Sequence, residues 1–404
     1  MFDLDYARAQ FPTLATPWAL MDNAGGSAPV RQVVERIREH LLVRPVQLGA
    51  SYSLSLEAQA SVDAGRAAAA KLVGADPDEV VLGASTTALL ATLARALRPQ
   101  WAEGDEVIVT DLDHEANIGP WRRLAESGIV VKEWPFDVES GRLRLEELEP
   151  LLGPRTRLVA FTHCANVIGD LHDAATFCRR IREAGALSCV DGVAFAPHRR
   201  VDVRELGCDV YALSFYKVYG PHIAALFGRR EVLLGARGQS HHFVGEEQVP
   251  QKLEPGGVCY ELAAGLPGVV EYLEGLDARH REDGAAGTLE GAFERIAAYE
   301  MDLAAPLLGF LEEHPRVRLF GGARADAETR VPTVAFAVDG LDASVLPEQL
   351  ERRQLAVRYG HFYAPRAIER LGLAERGGIV RVSLVHYNAH GEVLRLIDAL
   401  DELL

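Results

Sequence analysis

The stretch 209–222 holds one lysine, Lys217, between a strand-like run (Val210, Ala212, Leu213) and a Gly220–Pro221 turn. Desolvation disfavours an ammonium among apolar and aromatic neighbours. Such a lysine either snorkels to water or is kept as a reactive amine able to form a Schiff base. Other chemically able residues follow other apolar segments in chain order. Ser85 and Thr86 open a helical segment, where free N–H groups, the helix dipole and two hydroxyls make an anion site. His114 follows a segment at 106–110, Asn166 one at 157–162 and Asp191 one at 187–190. An aspartate directly after a buried strand must be paired, hydrogen-bonded or protonated. Ser214 adds a hydroxyl just before Lys217. Each alone reads as a cap, a turn or a surface residue. Taken in order, they meet the needs of one ligand, pyridoxal phosphate: a lysine for its aldehyde, a carboxylate that keeps its ring nitrogen protonated, a flat face to stack on the ring and a helix start for its phosphate. No metal site is expected.

Positioning these groups requires a particular scaffold. Strand-like segments at 80–82, 106–110, 129–133, 157–162, 187–190, 210–214 and 223–227 are separated by helical patterns at 86–97, 116–126, 143–152 and 174–183. This alternation predicts an α/β fold, a mostly parallel seven-stranded sheet with helices on both faces, in which ligands sit beyond the carboxyl ends of the strands. Earlier helices are expected at 33–43 and, alanine-rich and stopped by Gly74, at 56–73. From about residue 290 the rhythm changes: a helix at 298–313, strands at 317–320, 333–338, 355–358 and 379–384, and a last helix at 392–404. We therefore expect a large cofactor-binding domain over 21–290 and a smaller α+β domain over 291–404, with residues 1–20 packing on the small domain.

With 404 residues, 48% of them apolar, the chain can bury a sizeable core. A net charge of −16 argues against a nucleic-acid or anionic-membrane partner. No apolar run reaches membrane-spanning length, and the first residues lack the basic and apolar regions of a signal peptide. The five scattered cysteines (Cys164, Cys178, Cys189, Cys208, Cys259) read as reduced thiols of a cytoplasmic protein.

The motifs Asp22-Asn23-Ala24-Gly25-Gly26, Ser85-Thr86-Thr87, His114-Glu115-Ala116-Asn117, Asn166-Val167-Ile168-Gly169, Asp191-Gly192, Ser214 with Lys217, and Arg381-Val382-Ser383-Leu384 resemble those of class V aminotransferase-fold enzymes, in the branch related to cysteine desulfurases. The likeness covers nearly the whole chain and implies a fold-type I pyridoxal phosphate enzyme. It implies that Lys217 holds the cofactor and shuttles the substrate α-proton, with Asp191 at the ring nitrogen, His114 on the ring face and Asn166 near the ring oxygen. Ser85, Thr86 and Ser214 would bind phosphate. Arg381 and Arg358 would grip the substrate carboxylate, for which a bidentate guanidinium is suited. Asn23 and the loop 47–52 would line the substrate side. A homodimer with its site at the interface is implied too.

Departures from the pattern narrow the function. In the segment 358–365, which matches the desulfurase loop that carries the sulfur-accepting cysteine, Tyr363 stands at the cysteine position, on the substrate side. A phenol forms no persulfide. Gly257 replaces a threonine in the loop resembling the one that reaches the partner's phosphate site, and Cys259 follows it. Ala194 stands where a Gln or His contacts the ring oxygen, and Tyr216 where desulfurases have histidine. The expected function is chemistry at the amino group and α-carbon of a small amino acid, by transamination or by C–S lyase-type β-elimination. The alternatives are a desulfurase using another thiol, such as Cys259, and a protein that binds the cofactor without turnover.

Overall fold

Short apolar runs, each too short for a helix and several of them rich in valine, pair into one sheet. Its strands are β1 (Val80–Gly83), β2 (Glu106–Thr110), β3 (Val130–Trp134), β4 (Thr156–Thr162), β5 (Leu187–Asp191), β6 (Val210–Ser214) and β7 (Ala224–Gly228). The computed structural model describes residues 2–282 and 284–404; Met1 and Asp283 lie outside the described residues. The spatial order is β1-β7-β6-β5-β4-β2-β3. Neighbours from β3 to β6 run parallel, while β7 is antiparallel to both β6 and β1.

Both faces of this sheet are covered, as a parallel sheet requires. Val80, Leu82, Ile108, Val159, Val190 and Leu213 point into one core, where Val62 and Leu72 of the helix Ser53–Val73 and Phe177 and Ile181 of the helix Ala174–Glu183 meet them. Their sequence neighbours Val81, Val107, Val109, Leu158, Ala160 and Ala212 point into the opposite core, against Leu89, Leu90 and Leu93 of the helix Thr86–Leu97 and Trp121 of the helix Glu115–Arg122. This alternation is the period-two geometry of a strand buried on both sides.

A second sheet is antiparallel throughout, in the order β8-β9-β11-β10, with β8 Val317–Phe320, β9 Thr333–Val338, β10 Arg358–Gly360 and β11 Ile379–Ser383. The helices Leu289–Glu313 and His390–Leu403 pack on it through Leu303, Leu307, Leu396 and Leu400. The N-terminal segment joins both cores: Ala7 and Phe11 enter the large one, and Ala19 and Met21 enter the small one.

Four local expectations are corrected. The helix expected at 143–152 is a two-strand ribbon, Phe136–Asp137 with Arg142–Leu143, followed by single turns Leu145–Leu148 and Glu149–Leu151. Pro150 lacks the N–H that would continue the helix. The helix expected at 116–126 ends at Arg122 and tightens into a 3-10 turn, Arg123–Ser127, capped by left-handed Gly128. The strand expected at 355–358 divides between two sheets: Leu355–Ala356 pairs in parallel with Ala19–Leu20, while β10 starts at Arg358. The helix expected from 298 starts at Leu289, where the Thr288 side chain accepts from the Gly291 N–H. The helices Tyr260–Gly265 and Pro267–His280 had no sequence counterpart.

Candidate active site

Parallel strands deliver whatever follows them to one edge of the sheet. Beyond that edge lies a cavity lined by Ser85 and Thr86 after β1, His114 after β2, Asn166 after β4, Asp191 at the end of β5, and Ser214 and Lys217 after β6. Thr162, Cys164 and Ala194 complete its floor.

The anion end is built on a helix start. Ser85 caps the helix Thr86–Leu97, its Oγ accepting from the Ala88 N–H at 3.1 Å. The Thr86 and Ser214 hydroxyls meet at 2.7 Å across the gap between β1 and β6. Two hydroxyls and the positive end of a helix dipole thus converge, which suits a phosphate.

At the other end Asp191 is buried, and Oδ1 accepts the Val193 N–H at 2.9 Å. Burial raises its carboxyl affinity for protons; the hydrogen bond and the Lys217 charge oppose this. A cationic ring N–H placed beside it would favour the charged carboxylate. The turn after it needs glycine, because a Cβ on Gly192 would fall 2.0 Å from the Tyr211 ring.

Lys217 ends the tight turn Phe215–Lys217 and is only 6% exposed. Burial, then the nearby Arg381 charge, pull its ammonium down to about 8, against the opposing pull of Asp191 and Asp22. The amine is therefore substantially neutral, and nucleophilic, at mildly alkaline pH. His114 caps the next helix: its Nδ1 accepts the Ala116 N–H at 3.0 Å, which places the ring proton on Nε2. Burial, then the charges of Lys217 and Arg381, push this imidazole to about 3, so it stays neutral. A neutral flat ring can lie on a cofactor face without repelling a cation.

A second cavity opens from the first through His114, Asn166, Tyr216 and Lys217 and adds Arg358, Arg381 and Tyr363. Arg381 donates to the Asn166 carbonyl and to Asp22 Oδ1, both at 3.0 Å, and lies 3.8 Å over the Phe362 ring. Its Nε is buried without a partner. Burial lowers it only to about 10, so it remains a cation at neutral pH. Arg358, half-exposed, faces the same Asp22 at 3.7 Å. The strap carrying Tyr363 crosses this cavity with two successive residues in the left-handed region, Phe362 at φ 48° and Tyr363 at φ 59°. Asn166 Nδ2 donates to the Phe362 carbonyl at 2.9 Å, and the Glu115 N–H to the Tyr363 carbonyl at 2.7 Å. The Tyr363 ring is thereby held 5.2 Å from the His114 ring.

Not every expected contributor lines these two cavities of the single chain. The Asn23 amide donates to the Leu20 and Ser383 carbonyls and to Asn388, and its oxygen accepts from the Tyr387 hydroxyl. It clamps the second sheet's edge to the N-terminal segment, and its neighbours Ala24 and Gly25 form the cavity wall. Gly257 and the exposed Cys259 lie outside both cavities of the single chain, as does the loop 47–52. Sequence reasoning missed Thr162 and Cys164 in the floor; the position of Thr162 as the last residue of β4 was the available signal.

The aminotransferase class-V family model matches residues 19–396. The chain belongs to the class V aminotransferase family. All of it aligns, at 40% identity, with 99% of the Aminotransferase-like protein FGM3 of Gibberella zeae. It is 31% identical to the Cysteine desulfurase-like protein ustD of Aspergillus flavus, over 100% of this chain and 91% of that one. Among solved structures it is similar to the apo cysteine desulfurase of Thermococcus onnurineus NA1 (TM-score 0.88, 25% identity, 99% of this chain and 97% of that). It is also similar to the cysteine desulfurase CsdA of Escherichia coli (TM-score 0.84, 26% identity, 100% and 98%). This class V protein is an enzyme of fold type I, and its cofactor is pyridoxal phosphate. The residues present fit that group: an anion cradle, a buried carboxylate and a buried lysine border one cavity.

Proposed function

We propose that this enzyme acts on the amino group and α-carbon of a small amino acid, by transamination or by C–S lyase-type elimination, and that it forms no persulfide at residue 363. One observation carries this reading: the cavity holding Lys217 continues, through residues shared by both, into a pocket that offers two arginines and a phenol but no thiol. The five cysteines are four buried ones and Cys259, which stands outside that pocket.

In this reading Lys217 Nζ binds the cofactor aldehyde, Ser85, Thr86 and Ser214 hold its phosphate, and Asp191 faces its ring nitrogen. Bound there, pyridoxal phosphate supplies an electron sink for charge that develops at the substrate α-carbon. Arg381 would take the substrate carboxylate; its bonds to Asn166 and Asp22 and its position over Phe362 fix the guanidinium plane, and its unpartnered Nε is left to donate. Arg358 widens the positive surface at the mouth. Lys217 Nζ would be the base that takes the α-proton, its ordinary affinity lowered by burial into a useful range. The neutral His114 ring covers one face and, with Tyr363, keeps water from it.

Residues 21–290 would form the large domain and 291–404 the small one, with the strap Phe362–Tyr363 touching both. We also read the chain as a homodimer. Val34, Leu41, Leu42, Val43, Tyr52 and Leu56 are exposed apolar residues on the helices Arg31–Val43 and Ser53–Val73 and the loop between them, which is unusual for a lone monomer surface. Gly257 would then complete the partner's phosphate site. Among the described residues no helix is long and apolar enough to cross a membrane, and all five thiols are free, which suits a cytoplasmic enzyme.

A screen of amino acids with separate detection of keto acid, pyruvate and sulfide tests the proposal. Keto acid, or pyruvate with ammonia, supports it. Sulfide with alanine as co-product, abolished by Cys259→Ala, replaces it with a desulfurase reading. A bound cofactor unresponsive to every amino acid marks a binding protein.

A further inference from the structure

The mechanism above leaves one buried acid beside the site unused. Asp113 directly precedes His114, is 1% exposed and does not line the cofactor cavity. Its carboxylate gathers three donors from three elements: the Thr110 hydroxyl at the end of β2, the Asn117 amide one turn into the helix that His114 caps, and, at 3.1 Å, the N–H of Thr162 at the end of β4. All three donors are neutral. The bracing extends further. Thr162 pairs in register with Asp191 on β5. The Asn117 side-chain oxygen receives the Cys189 thiol, also on β5. Asp113 is thus bonded in the chain to His114, the residue read at the cofactor face, and joined through Thr162 to Asp191, the residue read at its ring nitrogen.

We propose that Asp113 is a positioning residue: an anionic brace that sets His114 and Asp191 against the pyridoxal phosphate ring without touching it. A carboxylate suits the place because it accepts three hydrogen bonds at once, which an amide or hydroxyl cannot do without turning a donor toward a donor. Its charge also acts at a distance. The titratable groups facing it are Asp191 and Cys189 on β5. Burial, with Asp191 adding to it, raises the Asp113 carboxyl to about 7, against the pull of its hydrogen bonds. Once ionised, it favours protonated, cationic forms of whatever Asp191 contacts.

The test compares holoenzyme and apoenzyme of the wild type, Asp113→Asn and Thr110→Val. Readouts are cofactor dissociation constant, visible circular dichroism of the bound cofactor, the pH midpoint of its absorbance change, and the melting temperature of each apo form. For Asp113→Asn we expect roughly tenfold weaker cofactor binding and a changed dichroic band, the cost of one misplaced charge-assisted hydrogen bond. We also expect a midpoint about half a unit lower, because a nearby negative charge is gone. Thr110→Val keeps the carboxyl but loses the donor that most favours its ionisation, so the acid ionises at higher pH. It should change the dichroism and lower the midpoint by no more than Asp113→Asn does. A lower apo melting temperature with unchanged affinity, dichroism and midpoint would make Asp113 a fold residue only and overturn the proposal. If Asp113→Asn fails to fold, Thr110→Val decides by its dichroism alone.

Discussion

At the residue scale the site is a set of groups held away from their usual ionisation. Lys217 is the clearest. Its lowered affinity leaves the free amine present above about pH 8 instead of above the ordinary lysine value near 10.5. The sign follows: capture of pyridoxal phosphate by the apoenzyme should accelerate as pH rises through about 8 and then level off, measured by stopped-flow absorbance. Lys217→Ala should leave no cofactor attached after borohydride reduction, read by mass spectrometry. A labelled Lys217→Ala chain would move the assignment to another amine. Asp191→Asn should bind cofactor yet slow exchange of the substrate α-hydrogen with deuterated solvent by about a hundredfold or more, since a neutral amide cannot hold a ring-nitrogen proton. An unchanged exchange rate would mean another group does so.

At the element scale, loops after strands do the positioning, and their backbones are constrained. A Cβ at Gly192 would collide with the Tyr211 ring, and that ring is fixed by a 3.0 Å hydrogen bond to His163 Nδ1. Gly192→Ala should therefore cost about 1–3 kcal/mol by urea denaturation and weaken cofactor binding with it, because Asp191 must shift. Stability equal to wild type would show that the ring can move aside. These loops also mark how far sequence reasoning reaches. The seven strands and the residues following them were legible because parallel strands are apolar throughout and because capping and turn residues punctuate their ends. Lys217, Asp191, His114 and Ser85 were picked out that way, and the fold brings them to one cavity. The clamping bonds of Asn23 were not legible, because a short motif does not reveal that its amide donates to Leu20, Ser383 and Asn388, the last 365 positions away. Asp113 was passed over because, in sequence, an acid beside a histidine looks like a surface pair. Only the fold brings Thr162 to it. The 355–358 segment misled for a similar reason: one extended run serves two sheets, and nothing local divides it.

At the scale of the whole molecule, Arg358 and Arg381 come from the second sheet while His114, Asn166, Tyr216 and Lys217 of the same pocket come from loops of the first, and one core cluster joins the two sheets through Phe320, Ala335 and Ile379. The apolar surface on the helices Arg31–Val43 and Ser53–Val73 points to a further assembly. Leu42, 68% exposed, is its most accessible member. Leu42→Glu should shift a dimer toward monomer in sedimentation velocity, at unchanged far-ultraviolet dichroism, and lower cofactor affinity if the partner completes the phosphate site. A wild-type chain that sediments as a monomer removes the dimer from the proposal.

The antiparallel strand β7 has one more consequence. It lies between β1 and β6, so the strand that ends at residue 83 finds its neighbour only when residues 224–227 have been made and folded. The Thr86–Ser214 contact spans 128 positions of chain. Contacts that distant form slowly, since a long loop must close before they return any stability. We expect the Thr86–Ser214 contact to be among the last parts of the large sheet to form. Pyridoxal phosphate added during refolding should leave the early phases at their apoenzyme rates and stabilise only the finished chain, which makes its capture a timer for completion of the sheet.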